Sequence, residues 1–269
     1  MAEHEQRGYV ETPEGLIHYR ERGPSSGPVL LLLHQTPSNS EQYSASLPLF
    51  AARGYRTIAM DTPGFGMSDP PAAKPAHMQW FASRVVQLLD GLGVDRAHIF
   101  GHHTGCTIAL ETAATYPERV GKLACFGFLA LRDDERQYWI DNFMPRWQPD
   151  PAFGFIESWI IPKVTSFLPN ADGPQTLREV AATCQAGPHY WWTYENVFTH
   201  DSYRAIAETK APTLLLCATG DREILNDRMR SSLASFADAR WAQIEGHPAK
   251  HMREPAEYVG VVAEFLASP

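Results

Sequence analysis

Hydrophobic and polar positions alternate along the chain in two different periods. Residues 29–33 form an unbroken apolar run between Gly27-Pro28 and a polar stretch from His34. Residues 55–60, 97–100, 123–131 and 213–217 read alike. Short continuous runs of this kind suit strands buried on both faces of a parallel sheet. Between them the spacing turns helical, at about residues 40–52, 77–92, 104–116, 226–236 and 255–266. In the last stretch Tyr258, Val259, Val262, Phe265 and Leu266 fall on one helical face. Upstream, residues 8–14 and 16–22 flank the turn signal Pro13-Glu14-Gly15 and predict a hairpin. Strands alternating with helices predict right-handed βαβ units in a doubly wound sheet. The alternation stops between about residues 132 and 210, where prolines recur and no strand pattern is visible. That segment reads as helices and loops inserted over one edge of the core.

Composition narrows the function classes. The chain has 269 residues, 44% hydrophobic and 20% charged, with a formal net charge of −8. This balance fits a globular chain and not a disordered one. An acidic chain without basic clusters argues against nucleic-acid binding. No apolar run approaches the roughly 20 residues of a membrane span, and the polar start does not read as a secretory signal. The four cysteines are far apart with no C-x-x-C pair, which points away from a disulfide framework or zinc site and toward a cytoplasmic protein. Aromatics are uneven: 14 of the 30 fall in the 80 residues 131–210. Such a composition suits an apolar pocket for a small, ring-containing ligand. It equally suits the inserted segment's own core.

The chemistry-bearing segment is Ala97-His98-Ile99-Phe100-Gly101-His102-His103-Thr104-Gly105. An apolar strand runs into two glycines four apart, and a helix follows. This is the frame of a nucleophile elbow, in which small residues on either side let strand and helix approach closely. The central side chain then projects at the carboxyl end of the sheet, where open α/β sheets bind ligands. It stands beside the free N–H groups of a helix start.

At this point the sequence resembles the α/β-hydrolase fold family over nearly its whole length. Four further motifs support the likeness in order. Leu33-His34-Gln35-Thr36-Pro37 resembles the oxyanion loop, and Asp61-Thr62-Pro63-Gly64-Phe65-Gly66 the loop after the next strand. Leu216-Cys217-Ala218-Thr219-Gly220-Asp221 resembles the strand that delivers the acid, and Gly246-His247 the histidine loop. The resemblance implies a mostly parallel eight-stranded sheet flanked by helices, with a helical cap after the sixth strand, as in epoxide hydrolases and dehalogenases. It divides the chain into a core of residues 1–130 and 211–269 and a lid of residues 131–210.

Two departures stand out. His103 occupies the elbow, where the family places Ser, Asp or Cys. Gln35 occupies a position where the family usually has Gly. By position, the resemblance assigns the oxyanion hole to the amides of Thr36 and Thr104, and a triad-like pair to Asp221 and His247. Asp133 is the alternative acid and His251 the alternative histidine. His103 has three possible roles: nucleophile through Nε2, general base, or inert pocket filler. The adjacent helix start disfavours imidazolium and predicts a neutral ring. His102 and His34 read as structural, Asp61 as a loop cap, and Cys106 as a helix-packing residue. Adjacent elbow histidines are expected to point in different directions, and no H-E-x-x-H is present, so no metal is expected. Gln35, Trp139, Phe143, Trp159, Trp191 and Trp192 are the expected substrate-contact residues, with only one of Trp191 and Trp192 facing inward.

The expected function is hydrolysis of a small apolar or ring-containing ester, lactone or related acyl compound, with no cofactor. The alternatives are a cofactor-free lyase, isomerase or decarboxylase using His103 and His247 for proton transfer, or a non-catalytic ligand-binding relative. The expected partner is a small-molecule substrate, with neither nucleic acid nor membrane, and the chain is expected to act as a monomer or homodimer.

Overall fold

A computed structural model describes residues 2–142, 154–167 and 173–269. Eight strands form one sheet: β1 (Ala2–Thr12), β2 (Gly15–Gly23), β3 (Val29–Leu33), β4 (Arg56–Met60), β5 (Ala97–His102), β6 (Val120–Phe126), β7 (Thr213–Ala218) and β8 (Ala239–Ile244). Their order is β1-β2-β4-β3-β5-β6-β7-β8. β1, β2 and β4 pair antiparallel, and every pairing from β4 through β3 to β8 is parallel.

The unbroken apolar runs follow from burial on both faces. Side chains alternate across a strand. Leu31 and Leu33 of β3 therefore pack with Ile58, Met60 and Ile99 on one side. Leu30 and Leu32 pack with Ala59, Phe100 and Phe126 on the other. The first face is covered by α2 (Met78–Gly91) and α3 (Thr104–Thr115); the second is covered by α1 (Leu47–Ala51) and, near the C-terminus, Ala256–Ala267. In that last helix the five residues of the predicted stripe are all buried, each contributing about 1.5–3 kcal/mol over exposure.

Several boundaries differ from the sequence expectation. The helix expected over residues 40–52 is a 3₁₀ turn, Ser40–Tyr43, followed by α1. Pro48 lies at the start of α1, where its missing N–H costs nothing; mid-helix it would break the ladder. The strand expected over 123–131 ends at Phe126, because Gly127 turns the chain with φ 74°.

Among the described residues five α-helices stand between β6 and β7: α4 (Asp133–Asn142), α5 (Ile161–Phe167), α6 (Gly173–Ala186), α7 (His189–Thr199) and α8 (Ser202–Glu208). A π-helical turn, Ile156–Ile160, leads into α5. After β7 come α9 (Glu223–Ser232), which starts three residues earlier than its pattern suggested, α10 (Pro248–Arg253) and α11 (Ala256–Ala267). Among the described residues no helix is long and apolar enough to cross a membrane.

Candidate active site

Two strand ends bring the site together. β5 runs into α3 through His103, the one described non-glycine residue with positive φ (46°, ψ −109°). Strained backbone of this sort persists only where packing fixes it. The two glycines supply that packing. A Cβ on Gly101 would lie 2.4 Å from the Gly105 carbonyl carbon, and one on Gly105 would lie 2.1 Å from the Leu33 carbonyl oxygen. β7 delivers Asp221 through a tight turn, and its loop is tied to the histidine loop where the Gly220 N–H donates to Gly246 O at 2.8 Å.

His103 and Asp221 meet directly. His103 Nε2 lies 2.8 Å from Asp221 Oδ2, and the Arg222 N–H donates to Asp221 Oδ1 at 2.8 Å. Burial pushes the Asp221 carboxyl up, but the charge and hydrogen bond of His103, then the Arg222 amide, outweigh it and hold it below the usual carboxylate range. Gly127 makes room for this pair: a Cβ there would lie 2.3 Å from His103 Cδ2 and 2.9 Å from Asp221 Oδ2.

His247 is placed differently from the expected triad geometry. Its Nδ1 accepts from the Ala249 N–H at 3.2 Å and so caps α10. Burial lowers its pKa, and the neighbouring His103 and Arg222 add to this, against the pull of Asp221. His251 contacts Glu245 O through Nε2 at 2.9 Å, a structural bond. Asp133 sits exposed on α4 against Arg136.

The expectation that His102 and His103 diverge is corrected. Their ring centroids are 4.2 Å apart, tilted by 33°. His102 is buried, and its Nδ1 lies 3.0 Å from Gln42 Nε2. Burial, then the charges of His103, His247 and His34, hold its pKa well below the ordinary histidine value. Asp61 accepts from the Ser40 and Met67 amides and pairs with His18. Burial opposes its ionisation, but these bonds and His34 bring its pKa down to about 2. Cys106 packs under the elbow, its Sγ 3.0 Å from Gly101 O. Among the described residues no group of three or more His, Cys, Asp or Glu side chains is arranged to hold a metal.

A cavity opens above this floor. His103, Gln35, Thr36, Thr104 and Gly127 form its base. Neither the Thr36 nor the Thr104 amide has an acceptor among the described residues. Trp139 of α4 lines the cavity, joined by Val164, Tyr194 and Phe198. Trp191 and Trp192 do not line it: Trp191 is buried with Phe65, Ala186 and Tyr190, and Trp192 packs against that cluster. Trp192 is out of helical phase with Tyr194 and Phe198, whereas Trp191 shares their stripe one turn nearer the start of α7, where Phe65 and Ala186 cover it. Phe143 and the Trp159 side chain lie outside the described residues.

Sequence reasoning missed Gly127, Thr107, Glu179, Tyr194 and Arg222. Arg222 follows Asp221 directly, and Thr107 lies one turn beyond Thr104; both spacings were readable. Glu179 carried no signal, since nothing in the pattern of α6 shows which turn meets the cavity. Its carboxyl is bonded to the Ser38 side chain, and burial raises its pKa to about 7.

A family model described as the alpha/beta hydrolase fold matches residues 28–247. The chain belongs to the α/β-hydrolase fold family. A haloalkane dehalogenase from Psychrobacter cryohalolentis is 35% identical over 119 residues, covering 42% of this chain and 38% of that protein. A 2-hydroxy-6-oxo-6-phenylhexa-2,4-dienoate hydrolase from Comamonas testosteroni is 36% identical over 115 residues, covering 42% and 40%. The matched stretch thus spans about two fifths of the length of these curated relatives. The crystal structure of Epoxide Hydrolase A from Mycobacterium thermoresistibile superposes with a TM-score of 0.80 at 18% identity, covering 98% of both chains. That likeness is one of fold.

Proposed function

We propose that this α/β-hydrolase-fold chain is a hydrolase in which His103 is a general base oriented by Asp221. The substrate class is a small apolar or ring-containing ester, lactone or related acyl compound. The observation that carries this reading is the 2.8 Å contact between His103 Nε2 and Asp221 Oδ2. A carboxylate accepts only, so the Nε2 atom holds the proton and Nδ1 carries the lone pair of the neutral ring. Nε2 is therefore engaged, and attack by that nitrogen on a carbonyl is not the favoured use. Instead Nδ1 takes a proton from water while the water oxygen bonds to the substrate carbonyl carbon. Asp221 stabilises the imidazolium that forms, as the acid of a triad does. The Thr36 and Thr104 amides hold the developing oxyanion. When the intermediate collapses, the bond to the leaving group breaks and the proton returns from His103 to that group. No step calls for a cofactor.

The names of the relatives, a dehalogenase and a dienoate hydrolase, support hydrolysis as the reaction type. A histidine at the elbow offers no carboxylate for an alkyl-enzyme and no hydroxyl for the usual acyl-enzyme. We read residues 131–210 as the lid and the rest as the core, working on a small molecule in the cytoplasm as a monomer or homodimer.

The test is a panel of aryl esters and lactones assayed with the wild type and His103→Ala. Turnover on any accepted substrate should fall by about 100-fold or more. Asp221→Asn, which leaves the ring in the wrong tautomer, should cost at least about tenfold. Acid-quenched protein should show no acyl adduct in mass spectrometry. Full turnover by His103→Ala, or an acyl group trapped on His103, would overturn the reading.

A further inference from the structure

Gln35 poses a problem that the hydrolytic chemistry does not solve. It lines the cavity base, and only 7% of its surface is exposed. Its Oε1 is buried and has no hydrogen-bond partner among the described residues. The loop around it is pinned on both sides. Its carbonyl lies 2.7 Å from His34 Nδ1, and its N–H reaches Gln42 Oε1 at 3.4 Å. His34 Nε2 in turn accepts the Thr62 N–H at 3.0 Å, which leaves Nδ1 as the donor to Gln35. The backbone is fixed while the side chain is unmet. Buried side-chain acceptors are rarely left so, because each forfeits its bond to water without replacement.

Thr107 repeats the pattern. Its Oγ1, in the same cavity wall, is also buried without a partner among the described residues. The same cavity is also lined by apolar groups, among them Leu129, Trp139, Val197 and Phe198. The cavity thus has an apolar side and a polar end beside His103, where the Gln35 Oε1 acceptor has no donor of its own.

We infer that Gln35 is a substrate-reading residue whose Oε1 accepts a hydrogen bond from an N–H or O–H on the substrate, next to the carbonyl held over Thr36 and Thr104. This narrows the substrate to small ring-bearing carbonyl compounds that carry such a donor, such as a carboxamide or a hydroxylated ring. It rests on reading the cavity as the substrate site and not on the role of His103. A bulky glutamine at this position is then an instrument of selection, exchanging open space for one directional contact.

The test uses benzamide and acetophenone, which share ring, carbonyl and shape and differ by NH₂ against CH₃. An apolar cavity prefers acetophenone, since benzamide must shed more water on entry. A cavity in which Gln35 reads a donor prefers benzamide. Calorimetric titration of the wild-type protein should show benzamide binding about tenfold tighter or better. In Gln35→Met, similar in length but without the acceptor, the ratio should fall to within about twofold, mainly through weaker benzamide binding. Equal or tighter acetophenone binding by the wild type overturns the inference, as does absence of benzamide binding; both are read without any variant. An unchanged ratio in a folded Gln35→Met does so too. Failure here leaves the general-base reading intact, because that reading is judged by turnover of His103→Ala and not by this ratio.

Discussion

The crest of the sheet and α4, the first helix inserted between β6 and β7, bury their residues to very different degrees. In β3 the four residues Leu30–Leu33 are wholly buried. In α4 none of the ten residues is buried, and Tyr138 is 67% exposed. The crest is over-determined: His103 keeps positive φ because Gly101, Gly105 and Gly127 each leave no space for a side chain. The inserted helices touch the cavity mainly with side chains, through Trp139, Glu179, Tyr194 and Phe198. Rigid placement of reacting groups therefore belongs to the sheet, and the shape of the cavity to the insertion. Variation in the second can change what binds without moving His103 or Asp221.

That contrast is most directly broken at Gly105. A methyl group there meets the Leu33 carbonyl oxygen at 2.1 Å, a backbone atom that cannot turn aside. Gly105→Ala should lose about 3 kcal/mol of stability, seen as a lower midpoint in chemical denaturation. A change under about 0.5 kcal/mol would show that the crest is softer than described. Gly127→Ala comes next, at about 2 kcal/mol, from positive φ and the contact with His103. It should also separate His103 from Asp221, so turnover should fall together with stability. Retained activity in a destabilised Gly127→Ala would mean that the pair is not needed in its present geometry.

The unequal constraint also explains what could be read from the sequence. Strands β3 and β7 were legible because burial on both faces leaves a nearly unbroken apolar signature, and β4 and β5 because their polar residues fall toward the strand ends. β8 was not placed, since its Ala239–Ile244 residues are mostly half-buried at the sheet edge and give no run. Short α10 escaped for want of a full helical repeat. At the site, the glycine spacing and the Asp221 motif placed both partners at the crest. Their direct pairing could not be read, because it spans 118 positions and depends on the φ of one residue. Tyr194 and Trp191 share one helical stripe, so the choice between them depended on Phe65 and Ala186 covering Trp191, a tertiary contact that composition does not contain.

The insertion should respond more mildly. Tyr194 of α7 donates its hydroxyl to Thr36 O, a bond joining the inserted helices to the oxyanion loop. Tyr194→Phe keeps the ring and should cost about 1 kcal/mol. The effect should appear in KM more than in kcat, because cavity shape changes while the crest does not. A large fall in kcat with KM unchanged would place α7 within the rigid machinery and erase the contrast.

Glu179 gives the subtlest effect, since it is read as a difference of slopes. Burial raises its pKa from the ordinary 4.5 to about 7, against the opposing pull of Arg178 and the Ser38 bond. Between those values the folded protein holds a proton that the unfolded chain has released. Stability contributed by this group is therefore full below about pH 4.5 and declines as pH rises toward 7. His34, His102, His247 and His251, all lowered chiefly by burial, act in the opposite sense. Their contribution is common to wild type and Glu179→Gln, so it cancels in the difference. Denaturation midpoints at pH 5, 6, 7 and 8 should show the wild type losing ground to Glu179→Gln across the first three and then levelling. A flat difference would mean that the insertion leaves this carboxyl in open water, and that α6 does not close the cavity over His103.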